Sequence, residues 1–387
     1  MIQRRIQKDI IKSLTYFPVV AIVGPRQVGK TTLSKQIIAS IKTPSVYLDL
    51  EKVSDLNKLQ DAEFFLSQNK DKLVIIDEVQ IRKDLYPLLR SLVDESNKPG
   101  QFLLLGSASP DLIRDSSESL AGRIAYHRLY PFSFGEVDDK VAQNDLWIKG
   151  GFPRALLAPE KELTWEWMEN FVDTYLHRDL IQLGLNVSPQ TIRNLWSMIA
   201  HQNGNLLNAT ALGASLGVTT PTVKKYIDFL GNAFLLKSLY PFSINMKKRL
   251  VKSPKVYISD TGILHFLVGV GSFNELAGHS VVGSSWESFV INQVLANKKK
   301  GEELFFYRTH HGAEADLVIT KGNSVKATLE IKFTNSPRLT KGNFIAFDDL
   351  KAPVNFIITP SSDDYLLKEN IRICSLKTFI FKYLPGI

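Results

Sequence analysis

The feature that most restricts this chain lies at residues 19–31. There an unbroken apolar run, VVAIV, passes directly into the glycine loop GPRQVGKT. Five consecutive apolar residues of this kind suit a strand covered on both faces, as in a parallel sheet. The loop fits G-x-x-x-x-G-K-[ST] at every position: Gly24, Pro25, Arg26, Gln27, Val28, Gly29, Lys30 and Thr31. The residues after it place Leu33, Ile37, Ile38 and Ile41 at helical spacing, with Thr32 at the junction. Strand, glycine loop and helix in this order predict a phosphate cradle. The glycines let backbone N–H groups turn inward, and the helix N-terminus adds a favourable dipole. Lys30 is expected to reach the β/γ-phosphates and the Thr31 hydroxyl to ligate Mg²⁺. The expected cofactors are ATP and Mg²⁺.

A second apolar run, LVII (73–76), ends in two acids. Asp77 is expected to hold Mg²⁺, directly or through water, and Glu78 to polarise an attacking water. Acids at the end of a second parallel-type strand lie where a doubly wound sheet places its ligand. A third run (102–105) leads to Gly106-Ser-Ala-Ser109, which puts Ser107 or Ser109 between the two motifs as a γ-phosphate sensor. Arg123 is a candidate to stabilise transition-state charge, in cis or from a neighbouring subunit of a homo-oligomer. A structural ion pair is the alternative for it.

The 387 residues suggest two or three domains at roughly 100–200 residues each. A single cysteine, Cys374, excludes a disulfide framework and a cysteine zinc site. The first residues, MIQRRIQKDIIKSL, carry charges throughout and lack an apolar signal core. No apolar run approaches the roughly 18 residues needed to cross a bilayer. A soluble cytoplasmic protein without a membrane partner is expected. Net charge is +8 and is unevenly spread. Residues 1–150 hold 21 Lys+Arg against 19 Asp+Glu, hence +2, whereas residues 224–255 hold eight basic residues against Asp228 alone, hence +7. That stretch suits a phosphate-backbone surface for DNA. It equally suits a solvated lysine-rich hairpin.

The motifs GPRQVGKTT, IIDEVQ, LLLGSAS, LAGRIAYHRLYPFSFGE, GGFP and TYLHRDL, in that order, resemble a large prokaryotic family of AAA-type ATPases. The resemblance spans nearly the whole chain. It implies an α/β fold: a P-loop NTPase parallel sheet with helices on both faces, then a winged helix, then a small α/β domain similar to the PD-(D/E)xK nuclease fold. The expected segments are residues 1–160, 161–275 and 276–387.

Residues 162–183 read as one long amphipathic helix. Its His177, Arg178 and Asp179 match the family's acidic-basic helix motif, either to contact nucleotide or a neighbouring domain, or as an intrahelical charge pair. Residues 208–230 read as two helices around a tight turn at Gly217, the second starting near Pro221 with Thr219 or Thr220 as its cap. The spacing looks like a helix-turn-helix. In the DNA-binding reading Lys224 and Lys225 enter a groove, while Lys247, Lys248 and Arg249 on the wing grip phosphates. The alternative is a lid or packing module.

In the last segment Glu287, Asp316, Glu330 and Lys332 fall in the order of the E…D…E-x-K set of such nucleases. Glu330 and Lys332 share a strand face, since side chains alternate with period two. Asp316 opposite would complete an oxygen site for Mg²⁺, with Lys332 activating water rather than ligating. The alternatives are an ordinary exposed strand pair, or a retained fold that no longer cleaves. Three functions therefore compete: an ATP-driven protein acting on DNA, a STAND-like nucleotide-gated switch with a protein partner, and an ATP-regulated Mg²⁺-dependent nuclease. All three share the loop. Lys30→Ala is expected to lower ATP turnover by about 100-fold or more, read as phosphate release; turnover within a few-fold of the unaltered protein contradicts the assignment of the loop.

Overall fold

The computed structural model describes residues 2–96, 98–109, 120–243 and 251–387. They sort into two compact units. One comprises Met1–Pro131, Arg178–Asn186 and Asn232–Phe234; the other comprises Phe132–His177, Val187–Gly231 and Leu235–Ile387. The chain thus returns to its first unit twice.

The first unit is built on a sheet of five parallel strands: β1 (Val19–Val23), β2 (Ser45–Asp49), β3 (Leu73–Asp77), β4 (Phe102–Gly106) and β5 (Ile124–Arg128), in the order β2-β3-β4-β1-β5. The unbroken apolar runs form β1, β3 and β4, and every residue of all three is buried. Both faces are covered. Val19, Ala21 and Val23 join one apolar cluster with Leu85, Leu89 and Val93 of the helix Leu85–Ser96. Val20 and Ile22 join the other, with Leu33 and Ile37 of the helix Lys30–Ser40 and Ile10 and Leu14 of the helix Gln7–Leu14. Alternation along one strand thereby divides it between two cores.

The strand order matters for the site. Because β4 lies between β1 and β3, the loops that follow these three strands emerge side by side at one sheet edge. Two glycines shape the first of them. At Gly24 a Cβ would stand 2.3 Å from the carbonyl oxygen of Leu129, where the chain leaving β5 crosses. Gly29 opens the helix Lys30–Ser40 at φ +99°, a conformation costly for other residues.

The second unit contains a mixed sheet in the order β12-β13-β11-β10-β9-β8. Its strands are β8 (Glu302–Arg308), β9 (Glu314–Lys321), β10 (Ser324–Ile331), β11 (Asn355–Thr359), β12 (Tyr365–Lys368) and β13 (Ile371–Ser375). The helix Val282–Asn297 precedes it. In this unit Trp147 meets Trp286 and Phe333 edge-on and stacks on Phe289, and Trp286 lies tilted against Phe289. Upstream, the helices Ala209–Leu216 and Thr220–Asn232 meet at Gly217, whose φ is +68°. The Thr219 hydroxyl accepts from the N–H of Thr222. An antiparallel hairpin follows, β6 (Leu236–Leu239) with β7 (Lys255–Ile258). Lys247, Lys248 and Arg249, expected on the wing, lie outside the described residues.

The long helix expected at 162–183 runs as Lys161–Thr174, a π-helical turn Tyr175–Asp179 and a final turn Leu180–Gln182. Substituting Gly24 by Ala forces the loop off Leu129. We expect Gly24→Ala to lose about 1–3 kcal/mol, seen as a lower thermal midpoint; an unchanged midpoint shows that the crossing chain yields freely.

Candidate functional site

Lys30 is buried at the end of the glycine loop, one residue beyond Gly29. Its ammonium donates to the carbonyls of Gly24 and Pro25, both at 3.0 Å, and to the Ser107 hydroxyl at 2.9 Å. Burial lowers its pKa, while the charges of Glu78 and Asp77 oppose that shift. Thr31 donates its hydroxyl to Asp77 Oδ2 at 2.6 Å, so the two expected metal ligands already face each other across β4. Tyr47, from β2, donates to the same oxygen. Burial raises the Asp77 pKa against these two hydrogen bonds. A hydroxyl and a carboxylate at this spacing are hard oxygen donors that suit Mg²⁺, which fills its remaining positions with water and phosphate.

Glu78 sits at φ +56°, a left-handed conformation uncommon for a residue with a side chain. The turn lets the Asp77 carboxylate accept from the Glu78 N–H at 2.9 Å. The Glu78 carboxylate accepts from Ser107 Oγ at 3.1 Å and from the Gln80 amide. Gln80 in turn accepts from the Ser107 N–H at 3.3 Å. Of the two candidate sensors, then, Ser107 stands in the site. Ser109 bonds elsewhere, to Asn232 at 3.0 Å.

The loop is braced from outside. Arg4 donates to the carbonyl of Val28 at 3.1 Å and to that of Tyr130. Gln27, just before Val28, adopts φ +60°, and Thr32 lies in the first turn of the helix. Arg26 pairs with Glu51 at 3.1 Å and with Asp179 at 2.9 Å, and Arg178 reaches the same Glu51 oxygen at 3.1 Å. The charges of Arg178 and Asp179 are therefore tertiary, which corrects the intrahelical pairing. The π turn carries them toward the glycine loop.

In the second unit Glu287 and Asp316 converge, with Glu314, around a lysine. Lys255 Nζ lies 3.1 Å from Glu287, 3.0 Å from Glu314 and 3.6 Å from Asp316, and is only 5% exposed. Tyr257, two residues along β7 and on the same face, donates to Glu287 at 2.5 Å. Burial would lower the Lys255 pKa, but the three acids outweigh it and raise it. Burial pushes the Glu287 and Glu330 carboxyls above the usual carboxylate range. Asp316 accepts from the Ile331 N–H at 2.9 Å, and Lys332 pairs with the buried Glu330 at 2.7 Å. Two of the three expected metal-site acids, Glu287 and Asp316, are thus paired with an ammonium, and the third, Glu330, with Lys332. Among the described residues no group of three His, Cys, Asp or Glu is arranged to hold a metal ion.

Three family matches divide the chain: an AAA domain over residues 16–138, a domain of unknown function (DUF8612) over 141–274, and a domain of unknown function (DUF4143) over 282–379. The uncharacterized proteins Rv2008c of Mycobacterium tuberculosis and Mb2031c of Mycobacterium bovis are each 38% identical over 360 residues, 93% of this chain and 80% of theirs. The chain belongs to their family. Among solved structures, the Walker-type ATPase PABY2304 of Pyrococcus abyssi is 15% identical with a TM-score of 0.47, covering 69% of this chain and 96% of that one. Among the described residues no helix is long and apolar enough to cross a membrane.

Within the AAA domain, Arg123 stands away from the glycine loop of its own chain. It immediately precedes β5 and its carbonyl accepts from the N–H of Val19, at the start of β1. The glycine loop begins after Val23, a strand length of roughly 17 Å away. Arg123 binds Asp94 at 2.5 and 3.1 Å, so it is a structural ion pair in its own chain. Sequence reasoning missed Tyr47, Arg4, Lys255 and Glu314. Only strand order brings Tyr47 to Asp77. The alternation of Lys255 and Tyr257 in KVYI was the legible signal for the tail cluster. Lys255→Met leaves Glu287, Glu314 and Asp316 without their cation, and a loss of about 3–5 kcal/mol in unfolding free energy is expected; a loss under about 1 kcal/mol contradicts the ammonium's role.

Proposed function

We infer that this AAA-family protein binds ATP with Mg²⁺ at the glycine loop and hydrolyses it. One observation carries the reading: Lys30, Ser107 and Glu78 are joined in a single hydrogen-bonded chain that spans β1, β4 and β3. It holds together a cation for the transferred phosphate, a polar contact for its oxygens and a carboxylate to orient water. Thr31 and Asp77 are the residues that hold Mg²⁺, which would neutralise charge developing on the phosphates. Gly24 to Thr32 supply the cradle. Glu78, released from Ser107 and Gln80, positions the attacking water. Ser107 then turns to the γ-phosphate, because Lys30 and Glu78 no longer engage its hydroxyl.

The output of that cycle is action on DNA through a winged helix within residues 161–275. Support comes from the paired helices around Gly217, the β6–β7 hairpin, and Lys224 and Lys225, both exposed on the second helix. The last segment, residues 276–387, has a nuclease-like fold that binds rather than cuts. Lys255 favours this, because its ammonium already pairs with Glu287 and Asp316, two of the acids a cleaving site would use.

The test is ATP turnover of the full chain with and without single- and double-stranded DNA at two salt concentrations. Turnover should rise with DNA, and the rise should shrink steeply with salt, because phosphate contacts release counterions. Lys224→Ala with Lys225→Ala should weaken the stimulation without changing basal turnover. Turnover indifferent to DNA removes the nucleic-acid output. An ATP-dependent change in mass without DNA affinity would instead identify a STAND-like switch that works by homo-oligomerisation or by binding a protein.

A further inference from the structure

The third residue of the glycine loop is tied to a distant helix. Arg26 pairs with Asp179 at 2.9 Å and with Glu51 at 3.1 Å, and Arg178 grips Glu51 from the other side at 3.1 Å. The Asp179 side chain is 4% exposed, so it is a nearly buried acid whose compensating cation belongs to the loop that would receive phosphate. The acid also lies close to the reacting groups. Its carboxyl, raised to about 6 chiefly by burial, is perturbed by Glu78 as well as by Arg26, and its own charge is felt at Lys30.

These facts set up a competition. A guanidinium binds phosphate oxygens in the same forked geometry that it uses for a carboxylate. A polyphosphate arriving in the loop brings several negative charges beside a buried carboxylate. If Arg26 turns to the phosphate, Asp179 is left unpaired in a buried place, which is strongly unfavourable. The segment that carries it must then move toward water. That segment begins in a π-helical turn, Tyr175–Asp179, an irregularity often found where helices do work.

We propose that Arg26, Asp179, Glu51 and Arg178 form a latch that the phosphates of a bound nucleotide open, freeing residues 178–182 from the glycine loop. The latch rests on the reading of the loop as an ATP site. Asp179 and Glu51 act here as positioning residues: they hold Arg26 away from the ligand until the ligand competes for it.

The test is a titration of the full chain with the slowly hydrolysed Mg²⁺·ATPγS, together with hydrogen exchange over residues 175–182. Asp179→Asn removes the competing charge and should tighten binding by about 5- to 10-fold, in the range of ordinary coupling between sites. Glu51→Gln, at a more exposed position, should tighten it by about 2- to 3-fold. Arg26→Ala should weaken binding, and Asp179→Asn added to it should have no further effect, because the two act through one contact. Exchange at 175–182 should rise on nucleotide binding in the unaltered protein and be high without nucleotide in Asp179→Asn.

If Asp179→Asn does not fold, the Glu51→Gln titration and the exchange of the unaltered protein decide the matter. Binding in Asp179→Asn or Glu51→Gln that is equal to or weaker than that of the unaltered protein overturns the latch. So does a tightening that survives Arg26→Ala. Unaltered protein with no affinity for the nucleotide overturns the ATP-site reading, and the latch falls with it; unaltered protein that binds normally while the variants bind no tighter overturns the latch alone.

Discussion

The hydroxyl of Ser107 accepts from Lys30 and donates to Glu78, and the first unit is arranged so that it can do both. The contact exists because β4 is inserted between β1 and β3. That order turns three separate strand ends into one edge. A lysine ammonium buried in the loop would be costly alone. Two backbone carbonyls and the serine oxygen give it a full set of acceptors. The neighbouring carboxylates offset its desolvation. Parallel strands clothed on both faces supply the rigidity that such a constellation needs.

The second unit solves a different electrostatic problem. Three acids gathered near one point repel each other unless a cation is placed among them. Lys255, from the β6–β7 hairpin, provides it. This ion network joins residues that match two different families, 141–274 and 282–379. It gives a physical reason why both segments belong to one compact unit. A linear division of the chain at 275 does not reveal that link, since Lys255 and Glu287 are brought together only by folding.

Much of the nucleotide site is legible along the chain. VVAIV must be buried on both faces, GPRQVGKT must turn its N–H groups inward, and LVIIDE must end a strand in acids. Period-two alternation also places Glu330 and Lys332 on one side, where they do pair. What the chain does not show is which distant residues meet. Arg123 follows LAG closely in sequence, and the fold sets it just before β5, level with the start of β1 and a strand length from the loop, where it meets Asp94. Arg178 and Asp179 are adjacent on a helix, yet their partners come from residues 26 and 51.

By itself, then, the sequence determined local chemistry: which segments are strands, where a backbone must turn left-handed, and which side chains hold phosphate-binding potential. These follow from apolar periodicity and from the steric freedom of glycine, which act over a few residues. Tertiary structure alone decided partnership. It chose Ser107 over Ser109, brought Tyr47 to Asp77, paired Arg26 with Asp179, and gathered Glu287, Glu314 and Asp316 around Lys255. Ion pairs and hydrogen bonds reach only about 3 Å, and no spacing rule in a sequence says which distant residues strand order and helix packing will bring that close.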